Sequence, residues 1–212
     1  MYYYHMTTFD RIISISESGL TPRNENNSKL VNDEKVKVFF SEGFEGCIAL
    51  FVDFNIVYND IKSGKTKLKD KDIENKVKKS NNLCDYLKDG VYLQFDGTNI
   101  KNERNFENGC TNRIILPKML NVCILKNKNN NNLIFSRFEI IKYMMSKIKP
   151  EEIKYYGSPY DNSPNFDDAT KRIQEKVKNY YLMHKKDIDK YSNEDYILEY
   201  INIKDFIEEY LK

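Results

Sequence analysis

Residues 2–20, YYYHMTTFDRIISISESGL, and residues 36–51, VKVFFSEGFEGCIALF, decide the fold. The aromatic run at 2–6 favours an extended strand that ends in His5-Met6-Thr7. Thr7 or Thr8 can then cap a helix with Asp10 in its first turn, and Phe9, Ile12, Ile13 and Ile15 supply its buried stripe. Gly19 closes that helix as the residue just past its C-terminus. A polar stretch from Thr21 to Asp33, with Pro22 and four asparagines, reads as a surface crossing. In the second strand Val36, Val38 and Phe40 share one face, while Lys35, Lys37 and Phe39 share the other. Gly43 to Ile61 follows as an apolar helix, with Phe44, Cys47, Ile48, Phe51, Val52, Tyr58 and Ile61 at helical spacing, and is expected to be the central buried helix.

Working outward, residues 62–82 are dominated by Lys, Asp and Asn and predict a solvated helix or loop. Val91–Asp96, Asn112–Leu116 and Leu120–Leu125 read as strands, the last two separated by Pro117, which forces an edge or a bulge. Asn127–Asn132 is a turn. Ser136 with Glu139 has capping-box spacing for a helix through Ile148, and Pro150-Glu151-Glu152 starts a short helical turn. From Asp167 to the end the pattern is helical, broken near Tyr191-Ser192-Asn193. The expected fold class is therefore α+β, with a mixed, mostly antiparallel sheet in a domain over residues 1–150 and a helical extension over 151–212.

Composition excludes several classes. The 34 Lys and Arg stand against 32 Asp and Glu, a net charge of +2, which lacks the global positive excess of a chain that lives on phosphate backbones. The run Lys62–Lys79 reads as a solvated face, with nucleic acid as the other contact it could make. Cys47, Cys84, Cys110 and Cys123 have no zinc-knuckle or redox-dithiol spacing, so reduced thiols and a cytoplasmic setting are expected. No stretch approaches the roughly 20 apolar residues of a membrane helix. No Walker loop, dinucleotide glycine triplet or metal-ligand set is present. Cys47 lies near a helix N-terminus, where a nucleophilic thiol can arise, but its place on the apolar stripe predicts burial. His184, on an exposed helix, has no assigned role.

The series Tyr4-His5-Met6-Thr7, Ile12, Ile15, Gly19-Leu20-x-Pro22 and Val38-Phe39-Phe40-Ser41, running into an apolar helix, resembles the opening of the ADP-ribosyltransferase superfamily. The likeness is to the branch with a strand histidine: the poly-ADP-ribose polymerases, the DNA-modifying ADP-ribosyltransferase toxins and the RNA 2′-phosphotransferases. It covers about a quarter of the chain. It implies a split sheet with helices packed around it, NAD as substrate and a macromolecular acceptor, in settings such as toxins, antiphage defence or phage counter-defence. By the same resemblance His5 and Thr7 would hold a ribose or the nicotinamide side of NAD. Phe39 would stack on the nicotinamide ring while Phe40 points into the core, or the two would exchange roles. Ser41 would occupy a position that often carries a small or hydroxyl residue, and Arg23 would meet the pyrophosphate.

The family also carries an acid at the start of a later strand, where it polarises a ribose hydroxyl and stabilises the oxocarbenium-like transition state as nicotinamide leaves. Neither Thr111–Leu116 nor Leu120–Leu125 begins with one. Asn112 stands at the strand start, and the nearest acids, Glu107 and Glu103, precede it on a loop. Three functions follow from the resemblance: ADP-ribose transfer with His5 and Glu107 as catalytic residues, a catalytically silent nucleotide- or protein-binding module, and NAD-dependent RNA 2′-phosphate transfer, for which Arg23 and Arg113 are the cations at hand.

Overall fold

In the computed structural model of the protein, the described residues are 1–22, 38–98, 109–154 and 165–211. Arg23, Glu103, Glu107 and most of the Thr21–Asp33 crossing lie outside them. The aromatic run forms β1 (Tyr2–Thr8) and leads directly into α1 (Phe9–Ser18). Thr8 takes the cap position, with its hydroxyl turned to the Asp10 carboxylate rather than to the helix backbone. Gly19 has φ 78°, and a Cβ there would stand 2.3 Å from the Ile115 carbonyl oxygen, so both its backbone conformation and its neighbour require glycine.

The second strand is two short pieces. β2 (Val38–Phe39) pairs with β5 (Cys110–Thr111), the chain turns at Phe40, and β3 (Ser41–Glu42) pairs with β1. α2 (Gly43–Lys62) then crosses the molecule, followed by α3 (Lys71–Lys79), α4 (Leu83–Leu87) and β4 (Gly90–Asp96). After β5 come β6 (Asn121–Asn127), β7 (Leu133–Ile134), α5 (Arg137–Lys147), α6 (Phe166–Met183), α7 (Lys185–Asp189), β8 (Tyr196–Asn202) and α8 (Ile203–Tyr210).

The six strands β3-β1-β4-β6-β7, with β8 also on β6, form one sheet in which every pairing is antiparallel. β1 and β4 pair over seven residues, with His5 opposite Leu93 and Thr7 opposite Val91. Because β8 occupies one side of β6 from end to end, β4 and β7 share the other side: β4 at the start of β6, β7 at its end. The sheet is thus split along β6.

Alternation along the strands builds two cores. Tyr3, Val91, Leu93, Phe95, Val122 and Ile124 face α1 and α8, packing with Ile12, Ile15, Ile203 and Phe206. Tyr4, Tyr92, Cys123 and Leu125 face α2 and α5, packing with Ile48, Val52, Ile140, Ile141 and Met144. Full burial of a side chain such as Ile12 or Leu93 is worth about 1.5–3 kcal/mol, which is why period-2 and period-3.6 patterns govern this part of the chain. α2 is the central helix: Cys47, Ile48, Phe51, Val52, Tyr58 and Ile61 are buried, and its buried Asp53 is met by Lys176 of α6 at 2.9 Å.

The sheet expected to be mixed is antiparallel at every pairing, and three further expectations are corrected. Asn112–Leu116 is no strand: pairing stops at Thr111, Ile114 and Leu116 are exposed, and Ile115 alone bridges to Leu20, before Pro117–Met119 makes a 3-10 turn. Ser136 caps α5 without its side chain, and Glu139 instead receives bonds from Lys142, Lys190 and Tyr191. Residues 196–202 are not helical. YILEYIN alternates Tyr196, Leu198 and Tyr200 with Ile197, Glu199 and Ile201, and lies against β6 over its whole length, so the C-terminal segment is an integral strand and helix of the sheet rather than an added helical piece.

Candidate functional site

Of the residues singled out in the sequence, His5 and Phe39 meet where β1 runs beside the Phe39–Ser41 turn, while Arg23 and Glu107 lie outside the described residues. The His5 Nδ1–H donates to the Phe39 carbonyl at 2.7 Å. A carbonyl only accepts, so the proton sits on Nδ1 and the neutral ring keeps Nε2 as an acceptor. Burial lowers the His5 pKa from its ordinary value, the Phe39 carbonyl opposes that shift, and the Arg11 guanidinium adds to it. The ring is therefore neutral at pH 7, held by its partner in one tautomer.

Phe39 is 37 % exposed, whereas Phe40 is 7 % exposed and packs edge-on against Tyr3 (5.0 Å) and Phe95 (5.3 Å). Of the two roles the sequence left open, Phe40 takes the core and Phe39 offers the ring at the surface. The Phe40 N–H donates to the Gly109 carbonyl at 2.8 Å, which pins the turn from the other side. Gly109 sits at φ 65° with a virtual Cβ 2.7 Å from the Phe40 carbonyl oxygen, so the approach tolerates no side chain.

Thr7 lies two residues beyond His5 on the same sheet face and is buried. Ser41 is on the opposite face: it stands across from Tyr4, on the side of the Cys47 thiol and away from the His5 ring. Cys47 is 1 % exposed and its thiol is pushed up by burial, so it packs rather than reacts. Asn112 is exposed beyond the end of β5, and the Arg113 N–H donates to the Thr111 hydroxyl at 3.2 Å. His184, exposed at the end of α6, stacks on Tyr180 at 4.3 Å.

One acid was missed. Glu42 stands opposite Tyr3, which puts it on the His5 and Thr7 face; the His5–Glu42 diagonal across an antiparallel pair is roughly 7–8 Å. Burial first, and then the Glu42 charge, push the Tyr3 hydroxyl up to about 12. The parity was available in the sequence, since Glu42 is two residues beyond the inward Phe40, but the break in the strand and the pairing with β1 were not.

No family model, curated protein or solved structure matches this chain. The site therefore stands on its own geometry: a neutral histidine locked to the neighbouring backbone, a hydroxyl two residues on, a half-exposed aromatic ring and one carboxylate on the same face. Such a set can accept a hydrogen bond from a sugar hydroxyl, cover an aromatic ring and stabilise positive charge. No helix among the described residues is long and apolar enough to cross a membrane.

Proposed function

We propose that this protein binds NAD against the end of β1 and the Phe39–Ser41 turn and transfers ADP-ribose to a macromolecular acceptor. The observation that carries the reading is the 2.7 Å bond from His5 Nδ1 to the Phe39 carbonyl. It couples the histidine strand to the aromatic segment and leaves Nε2 free of its own proton, the arrangement needed to accept from a ribose hydroxyl. In the proposed reaction the bond from C1′ of the ribose to nicotinamide breaks, its electron pair leaving with the ring, while an acceptor nucleophile bonds C1′ and loses its proton to solvent. Phe39 covers the nicotinamide, Thr7 supplies a hydroxyl and Arg23 a cation for the pyrophosphate. The carboxylate that steadies the developing charge at C1′ is Glu107 or Glu42.

A second reading, a silent NAD-binding module, is favoured by one observation: among the described residues, the side-chain charge that acts on the His5 ring is that of Arg11. Incubation with NAD labelled in the adenylate, alone and with cell lysate, separates the two. Transfer predicts nicotinamide release and label on protein or nucleic acid, abolished by His5→Ala and reduced at least tenfold by either Glu107→Gln or Glu42→Gln. NAD-dependent thermal stabilisation that His5→Ala removes, without turnover, selects the silent module. If NAD neither turns over nor shifts the melting temperature, both readings are wrong.

A further inference from the structure

The balanced charge of the chain conceals a local imbalance. Between residues 62 and 79 there are eight lysines and three carboxylates, an excess of five in a chain whose total excess is two. All eight lysines, at 62, 65, 67, 69, 71, 76, 78 and 79, are exposed. Among the described residues Lys65 is met by Asp60 at 3.9 Å and Lys71 and Lys78 by Glu74, while Lys62, Lys67, Lys69, Lys76 and Lys79 have no carboxylate within ion-pair distance, and Asp72 is exposed on α3. Asp70 is spent on the backbone N–H groups of Asp72 and Ile73, capping α3. Glu74 is buried in the protein surface, where it takes the Leu68 N–H at 3.0 Å, Lys71 at 3.0 Å and Lys78 at 2.6 Å. The Lys78 and Lys71 ammonium groups, in that order, hold its carboxyl down to about 2, so it stays ionised and draws both lysine head groups to one carboxylate. The apolar residues of the segment face the other way: Ile73 and Val77 are buried with Tyr58 and Ile61 of α2 and Leu83 of α4.

We propose that this surface, the end of α2 with the 63–70 connection and α3, is a docking site for the phosphate backbone of a nucleic acid. Lysines alone, with no arginine and with Asn75, Asn81, Asn82, Ser80 and Thr66 between or beside them, suit point-charge contacts to phosphates rather than base reading, so binding is independent of sequence. An anionic bilayer is the poorer fit, because a membrane-surface helix inserts an apolar face, and here that face is already buried in the protein. The inference does not depend on the NAD reading.

The test is fluorescence anisotropy with a labelled 20-base-pair DNA duplex and a single-stranded RNA of the same length. With about four phosphates neutralised, log K falls with log salt at a slope near −3.6 on the duplex, a loss of about 100-fold between 50 and 200 mM. The variant K67E/K69E/K76E/K79E loses at least about 30-fold in affinity, while K128E/K171E/K178E/K186E, equal in net charge change but exposed on other elements, loses less than about threefold. Circular dichroism and melting temperature verify that both fold, and the glutamine versions of the same four patch positions repeat the loss at smaller size. Equal losses from the two variants overturn the proposal. So do tighter binding to phosphatidylserine vesicles or polyglutamate than to nucleic acid, and an absence of binding at 50 mM salt.

Discussion

Phe206→Ala tests whether β8 and α8 belong to the sheet. Phe206 is 0 % exposed, with its ring 5.3 Å from Phe135 and 5.4 Å from Tyr210, in the core that also holds Val122 and Ile124 of β6 and Ile12 of α1. Truncation of a buried Phe costs about 3–5 kcal/mol, from lost transfer energy and the cavity left behind. The strand floor of this site cannot collapse, whereas Tyr210 at the rim, 37 % exposed, can move in, which sets the expected loss at about 4 kcal/mol. With a urea m-value near 3 kcal/mol/M for a chain of this size, the midpoint falls by about 1.3 M. The assay is urea unfolding followed by far-UV circular dichroism and tyrosine fluorescence, the chain having 16 Tyr and no Trp. Ile13→Ala, at a position 54 % exposed on α1, should cost under about 0.5 kcal/mol and serves as the control. One coincident transition at lower urea is expected. A midpoint shift below about 0.3 M, or a separate early transition leaving the rest of the signal unmoved, would refute the placement of the C-terminal elements.

Two further expectations concern titratable groups. Burial would raise the Glu139 carboxyl, but bonds from Lys142, Lys190 and Tyr191 outweigh it and hold the group at about 2 against an ordinary 4.5. Its contribution is therefore complete above pH 4.5 and is lost as the pH falls towards 2. The shift corresponds to at most about 3 kcal/mol, and solvent reaching a quarter of the side chain reduces that to about 1–2 kcal/mol. Wild type should exceed Glu139→Gln by that amount at pH 6, with the gap closing between pH 4.5 and 2.5; a pH-independent gap contradicts the assignment. Cys84 is exposed while Cys47, Cys110 and Cys123 are buried, so Ellman's reagent should titrate one thiol quickly in the native state and three more only in denaturant. Cys84→Ser should remove the fast phase, and a second fast thiol would count against the described packing.

The local elements of the first half were legible because their signals are short-range. The aromatic run of β1, the Ile12 and Ile15 stripe, Gly19 past the helix end and the apolar α2 each rest on periodicity, and each is where its spacing puts it. The Phe39 and Phe40 split was half legible: alternation puts the two on opposite faces, but which face is inward depends on Tyr3 and Phe95, which only folding brings there. Tyr196–Asn202 misled because it follows a helical stretch, and helix and strand propensities hardly separate over seven residues. What makes it a strand is the open side of β6, supplied 75 residues earlier in the chain.

The sequence by itself thus determined β1, α1 and α2 with their buried stripes, and the place of His5 and Thr7 on β1, since these follow from side-chain size and local spacing. The tertiary structure alone decided that His5 bonds the Phe39 carbonyl, that Ser41 turns from the site towards Cys47, that Glu42 joins the His5 face, and that the chain's end completes the sheet. Each of those depends on which strands lie side by side, and strand pairing is a long-range choice made by the burial of both faces at once.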